Sequence, residues 1–128
     1  MSRTVISSPD APPAIGPYSQ GIGTGSFVFL SGQIPFVRDT GKFVEGMIKE
    51  QTEQVIANIK ALLASQNLDL SDVVKATVYL ASMTEFSAMN EVYTRYFGDT
   101  PPARSTVEVS RLPRDVRVEI EVIAQVRS

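Results

Sequence analysis

Residues 116–124, VRVEIEVIA, alternate apolar and charged side chains almost without a break. A period of two places Val116, Val118, Ile120 and Val122 on one face of an extended chain and Arg117, Glu119 and Glu121 on the other. A helix would scatter both sets around its axis. The segment therefore predicts a strand with one buried face and one charged face, and the rest of the chain must supply the cover for the valines.

Two amphipathic helices can do so. Ile48, Val55, Ile56, Ile59, Leu62 and Leu63 recur at spacings of three, four and seven, with Lys49, Glu50, Glu53 and Lys60 largely opposite. This predicts a core-facing helix of about 17 residues ending near Asn67. A second helix is predicted from about Thr84 to Phe97. Thr84 and Glu85 suit its start, Gly98 and the following Asp-Thr-Pro-Pro end it, and its stripe is Phe86, Met89, Asn90, Tyr93, Tyr96 and Phe97. Asn90 is the polar member of that stripe.

Strands are predicted at 3–7, at 26–32 as a buried strand ending at a glycine, near Phe43 after the turn at 38–41, and at 72–81. In the last of these Val74, Ala76, Val78 and Leu80 share a face. Residues 8–25 form a Pro/Gly-rich loop, long for a compact domain and so a candidate functional segment. Its Gly21, Gly23 and Gly25 do not make a dinucleotide loop, because a strand and not a helix follows them. The order of elements predicts an α+β architecture, two helices on one face of a mixed sheet, with residues 1–128 as a single domain.

The segment 104–110 alternates as well, and a final hairpin is the simplest pairing. Matching valines across it sets 107 opposite 118 and 109 opposite 116, with 111–114 as the loop. Arg104 then faces Glu121, Thr106 faces Glu119 and Glu108 faces Arg117, all on the sheet face away from the valines. A second subunit would cover that polar face. Spacing alone leaves three uses open for Arg104: a solvated charge, an ion pair with Glu121, or an anchor for an acidic ligand.

The chain has no cysteine and no histidine. Thiolate chemistry, disulfides and Ser-His-Asp catalysis are thereby excluded, and the serines lack an SxxK pattern. Any chemistry must rest on carboxylates, arginine, lysine, tyrosine, hydroxyls and backbone groups. The net charge of −2 and pI near 5.1 give no general attraction to nucleic acid or to anionic membranes. No segment approaches a membrane span and the first residues lack a signal-peptide core, so a cytoplasmic protein is expected.

PPARSTVEVSRLPRDVRVEIEVIA (101–124) resembles the C-terminal signature of the Rid family, the reactive intermediate deaminases also called YjgF-like or L-PSP proteins. PPAIGPYSQG (12–21) and SGQIP (31–35) resemble its other motifs in the same order, so the likeness spans essentially the whole chain. The resemblance implies a chorismate-mutase-like fold and a homotrimer with ligand clefts between subunits. It implies hydrolysis of 2-imino acids or their 2-enamino tautomers (2-iminobutanoate, 2-iminopropanoate, 2-aminoacrylate) to 2-oxo acids and ammonia, with no metal or organic cofactor. Position by position, Arg104 matches the residue that binds the substrate carboxylate and Glu119 the one that holds the hydrolytic water. Tyr18, Gly32 and Asn90 match residues lining the cleft, and Thr106 stands where many members carry cysteine.

Each of these has a plainer reading. Tyr18 packs beneath its loop, Gly32 closes a strand at positive φ, or Asn90 is a buried amide satisfied by backbone. Two other functions compete: a non-catalytic module that binds 2-oxo acids, and an RNA-acting protein. The acidic pI and the absence of a basic, aromatic stripe oppose the latter.

Overall fold

The computed structural model describes residues 3–127. In chain order the elements are β1 (Arg3–Ile6), β2 (Gly21–Thr24), β3 (Phe27–Gln33), β4 (Phe36–Val37), β5 (Lys42–Phe43), α1 (Ile48–Ala64), β6 (Val73–Leu80), α2 (Phe86–Phe97), β7 (Ala103–Glu108) and β8 (Val118–Gln125). Six strands form one mixed sheet in the order β1-β2-β3-β8-β6-β7, and β4 pairs with β5 as a separate ribbon. No helix among the described residues is long and apolar enough to cross a membrane.

Both helices lie on one face of the sheet. Val55, Ile56, Ile59, Leu62 and Leu63 of α1 are fully buried together with Val118 and Ile120 of β8. α1 starts where the Met47 backbone N–H donates to Glu50 Oε1 (3.1 Å), and its regular bonding stops at Ala64, three residues before the expected end. Asn67 is where the chain reverses, at φ 59, a conformation asparagine tolerates better than most residues. α2 is preceded by a 3₁₀ turn, Met83–Glu85, capped by Ser82, whose hydroxyl accepts from the Thr84 N–H. Met89, Val92, Tyr93 and Phe97 are its buried side.

The final hairpin does not form. β7 instead pairs in parallel with β6, so that β6, α2 and β7 make a crossover unit, with Ala76 beside Arg104 and Val78 beside Thr106. β8 lies between β3 and β6, antiparallel to both, with Leu30 opposite Val122 and Tyr79 opposite Glu119. An edge position would leave half of β8's backbone groups without ladder partners, whereas the central slot satisfies both sides and buries the full valine row. Residues 109–117 carry the chain there around a 3₁₀ turn at Pro113–Asp115.

Two smaller expectations also change. β2 emerges inside the long loop, hidden in the sequence by its alternate glycines, which have little strand preference of their own. On β6, Val73 is buried and Val74 is 39% exposed, because the register against β8 slips between Val73 and Lys75. The alternation of β3 buries Val28 and Leu30 but leaves Phe27 and Phe29 about two-fifths exposed on the face without helices.

Candidate functional site

Glu119 projects from β8 on the face away from the helices, as its partner Tyr79 does. Its carboxylate lies against Gly32, where the β3–β8 register breaks between Leu30 and Gln33. A Cβ at position 32 would overlap that carboxylate. Glycine is needed here for close approach, not for a positive φ, which Gly32 does not adopt.

The same two residues wall a cleft of about 790 Å³, together with Tyr18, Phe36, Phe43 and Arg114. Tyr18 is 53% exposed, so it stands over the opening and does not pack beneath its loop. The loop is held by the buried Gln20. The Gln20 Oε1 accepts from the Ser8 N–H (2.7 Å), and its Nε2 donates to the carbonyls of Ser8, Ala11 and Pro12. The Ser31 hydroxyl donates to the Ser19 carbonyl and ties the loop to β3 beside Gly32.

Burial pushes the Glu119 carboxyl up from its ordinary range, and the negative charge of Glu121 pushes it further. Glu121 is occupied in accepting the Tyr79 hydroxyl proton. That hydrogen bond, with burial and the two carboxylates, pushes the Tyr79 phenol up to about 12. Tyr79 therefore stays protonated at neutral pH, and Glu119 is the member of the group with raised proton affinity and no hydrogen-bond donor from the described residues. A carboxyl in that condition is suited to taking up and returning a proton.

Arg104 belongs elsewhere. Its register with Ala76 turns it to the helix face, where Nη1 donates to Asn90 Oδ1 (2.7 Å). Its guanidinium lies 4.6 Å from the Tyr93 ring centroid and 5.5 Å from that of Phe86. Among the described residues it makes no ion pair. Asn90 is thus partly exposed and partnered by a side chain, not buried and satisfied by backbone. Thr106 follows on the same face, and its hydroxyl and that of Tyr93 are buried without a hydrogen-bond partner.

The expected pairs Arg104–Glu121, Thr106–Glu119 and Glu108–Arg117 are consequently absent. Arg117 pairs with Glu85 (2.8 Å), Glu108 accepts from the Met83 N–H (2.7 Å), and Glu121 takes Tyr79. The predicted site residues fall into two groups on opposite faces of the sheet: Tyr18, Gly32 and Glu119 on one, and Asn90, Arg104 and Thr106 on the other. Gln20, Tyr79, Tyr93 and Arg114 were not foreseen. For Tyr93 a signal existed, since one turn after the polar Asn90 it shares that residue's stripe.

Residues 8–126 match the model of the family described as Endoribonuclease L-PSP. The chain belongs to the Rid family. A RutC family protein of Pyrococcus abyssi is 56% identical to this Rid protein over 124 residues, covering 97% of this chain and 98% of the other. Reactive Intermediate Deaminase A of Arabidopsis thaliana, a chloroplast protein, is 44% identical over 124 residues, covering 97% of this chain and 66% of the relative. Among solved structures, Escherichia coli TdcF with bound serine superposes with a TM-score of 0.91 at 42% identity, covering 98% and 99% of the two chains. The α+β sheet with two helices on one face is the chorismate-mutase-like fold of the Rid proteins.

Proposed function

We propose that this Rid protein hydrolyses 2-imino acids and their 2-enamino tautomers, 2-iminobutanoate and 2-iminopropanoate among them, to 2-oxo acids and ammonia, in a cleft completed by a second copy of the chain. The observation that carries the reading is the division of the site. One face offers the Arg104 guanidinium, which makes no ion pair among the described residues, and the other a carboxyl of raised proton affinity in a cleft, and the sheet of a single chain holds the two apart.

In this reading the Arg104 fork of one subunit takes the substrate carboxylate by two parallel hydrogen bonds, with Asn90 and the aromatic rings fixing its plane. Water adds to C2 of the imine while Glu119 of the neighbouring subunit takes its proton and passes it to nitrogen. The tetrahedral carbinolamine then collapses: its hydroxyl proton passes by way of Glu119 to nitrogen, the C2–N bond breaks, C2=O forms, and ammonia leaves. Most of the acceleration is positioning of water and substrate, which requires no histidine. No metal or organic cofactor takes part in this scheme.

Joining one face of a subunit to a different face of the next is a head-to-tail contact, which makes a ring when the rotation between subunits closes, and a homotrimer is the ring proposed. The half-exposed Phe27, Phe29 and Val107 on the open sheet face support it, because a partner would cover them. An RNA-cleaving role, which the family description names, finds neither histidine nor net positive charge in this chain.

A coupled assay tests the reading. A pyridoxal-phosphate lyase generates 2-aminoacrylate or 2-iminobutanoate, and 2-oxo acid formation is followed with this protein present. Acceleration by the wild type and none by Arg104→Ala is expected. No acceleration by the folded wild type would overturn it and leave a 2-oxo acid binding module.

A further inference from the structure

We propose that Arg114 reads the side-chain end of the substrate, so that the protein accepts 2-imino acids carrying a second carboxylate. This rests on the deaminase reading and adds the class of side chain that the cleft admits.

Arg114 is the one cation among the residues that wall the Glu119 cleft. Its guanidinium lies 5.1 Å from the centroid of the Phe43 ring, which itself packs edge-on against Phe36 at 5.1 Å. An arginine stacked on an aromatic pair is pre-oriented, and less of its freedom is lost when its fork meets an anion. The backbone that presents it is unusual. Arg114 and Asp115 are successive non-glycine residues at φ 58 and φ 55, in the left-handed region. Such residues cluster where a chain must present a ligand-binding group. The buried Leu112 anchors this turn, and its carbonyl accepts from the Asp115 N–H (3.1 Å).

No carboxylate among the described residues explains the placement of Arg114. The adjacent carboxylate, Asp115, is taken by Arg111 at 2.9 Å, and among the described residues Arg114 makes no ion pair. Nor does it pair with Glu119, which makes no salt bridge among the described residues. The two charges therefore stand apart in the cleft, with apolar residues such as Ile34 and Phe36 among its walls. A substrate with a methyl or ethyl side chain leaves the guanidinium unused. A five-carbon 2-imino diacid has a carboxylate at each end, one for Arg104 of the neighbouring copy and one for Arg114.

The test compares two imines made by flavin-dependent amino acid oxidases: 2-iminoglutarate from glutamate and 2-iminobutanoate from 2-aminobutyrate. The quantity read is the ratio of kcat/KM for the diacid to that for the monoacid, in wild type, Arg114→Ala and Arg114→Lys. The ratio is expected to fall roughly tenfold or more in Arg114→Ala, mainly through KM of the diacid, and by less in Arg114→Lys. Melting curves establish that each variant is folded. An unchanged ratio overturns the proposal, and so does an equal loss on both imines, which would assign Arg114 to the shared carboxylate. If the wild type hydrolyses neither imine, the deaminase reading fails separately. Calorimetric titration with 2-oxoglutarate and 2-oxobutanoate then decides: a selective loss of 2-oxoglutarate affinity in Arg114→Ala supports the assignment, and parallel affinities overturn it.

Discussion

The carboxylate of Glu119 occupies the space that a side chain at position 32 would need, so Gly32 and Glu119 act as a pair across the β3–β8 register break. Gly32→Ala should displace the carboxylate while leaving the backbone unstrained, since Gly32 has no positive φ. Deamination should fall on the order of a hundredfold, the usual consequence of misplacing a reacting group by about an ångström. Circular dichroism and melting should show a folded protein. Retained activity would mean that the position of Glu119 is not critical.

Glu119→Gln should stabilise the protein at neutral pH even as it slows hydrolysis. Burial and Glu121 raise the folded-state affinity of Glu119 for its proton. Its contribution is therefore fully favourable below the ordinary value of 4.5 and is lost as pH rises through the raised folded value. At pH 7 the ionised, half-buried group is a cost that glutamine removes. Melting temperatures of the two proteins should differ most near neutrality and converge in acid. A variant less stable at pH 7 would contradict this sign.

Mixing two impaired variants should restore activity if the site is shared. Arg104→Ala keeps an intact Glu119 face, and Glu119→Gln keeps an intact Arg104 face. Random reassembly in a ring places the two intact faces together at about a quarter of the sites. Unfolding, mixing and refolding the pair should return that fraction of wild-type turnover. No recovery from refolded oligomers would return both halves of the site to a single chain.

The open sheet face should be the contact. Phe29 is 42% exposed beside Phe27, their ring centroids 6.4 Å apart. Phe29→Glu would bury a charge in such an interface and should yield a folded monomer without deaminase activity, readable by light scattering. An oligomer that tolerates glutamate there must be built on another surface.

Gln20 should matter more than its chemistry implies. Its amide holds the backbone at Ser8, Ala11 and Pro12, and Gln20→Leu leaves those buried groups unsatisfied. Loss of about 1–3 kcal/mol is expected, by denaturant titration, together with weaker substrate binding as Tyr18 loses its support.

Period and punctuation made the two helices and most strands legible. The 3.6-residue stripe of α1 and the strict alternation of β8 each have one physical reading. Alternation does not say which strand lies next door. It is blind to the difference between β7 as a hairpin partner of β8 and β7 as a parallel neighbour of β6, and that choice decides which way Arg104 points. Motif likeness named Arg104, Glu119, Tyr18, Gly32, Asn90 and Thr106 without saying that they divide between two faces. Gln20 and Arg114 were hidden for another reason: their roles depend on where a loop lies, and loop geometry leaves no periodic trace in a sequence.

The strand between β3 and β6 is also the one synthesised after every other strand of the sheet. Until residues 118–125 leave the ribosome, β3 and β6 face each other across an empty slot, and the valine row that α1 must cover does not exist. A nascent chain thus lacks the strand that joins the two parts of its sheet and completes the surface under the helices. Docking of β8 joins them and, in the same event, delivers Glu119 to its place against Gly32. Completion of the sheet and assembly of the Glu119 cleft are therefore one step.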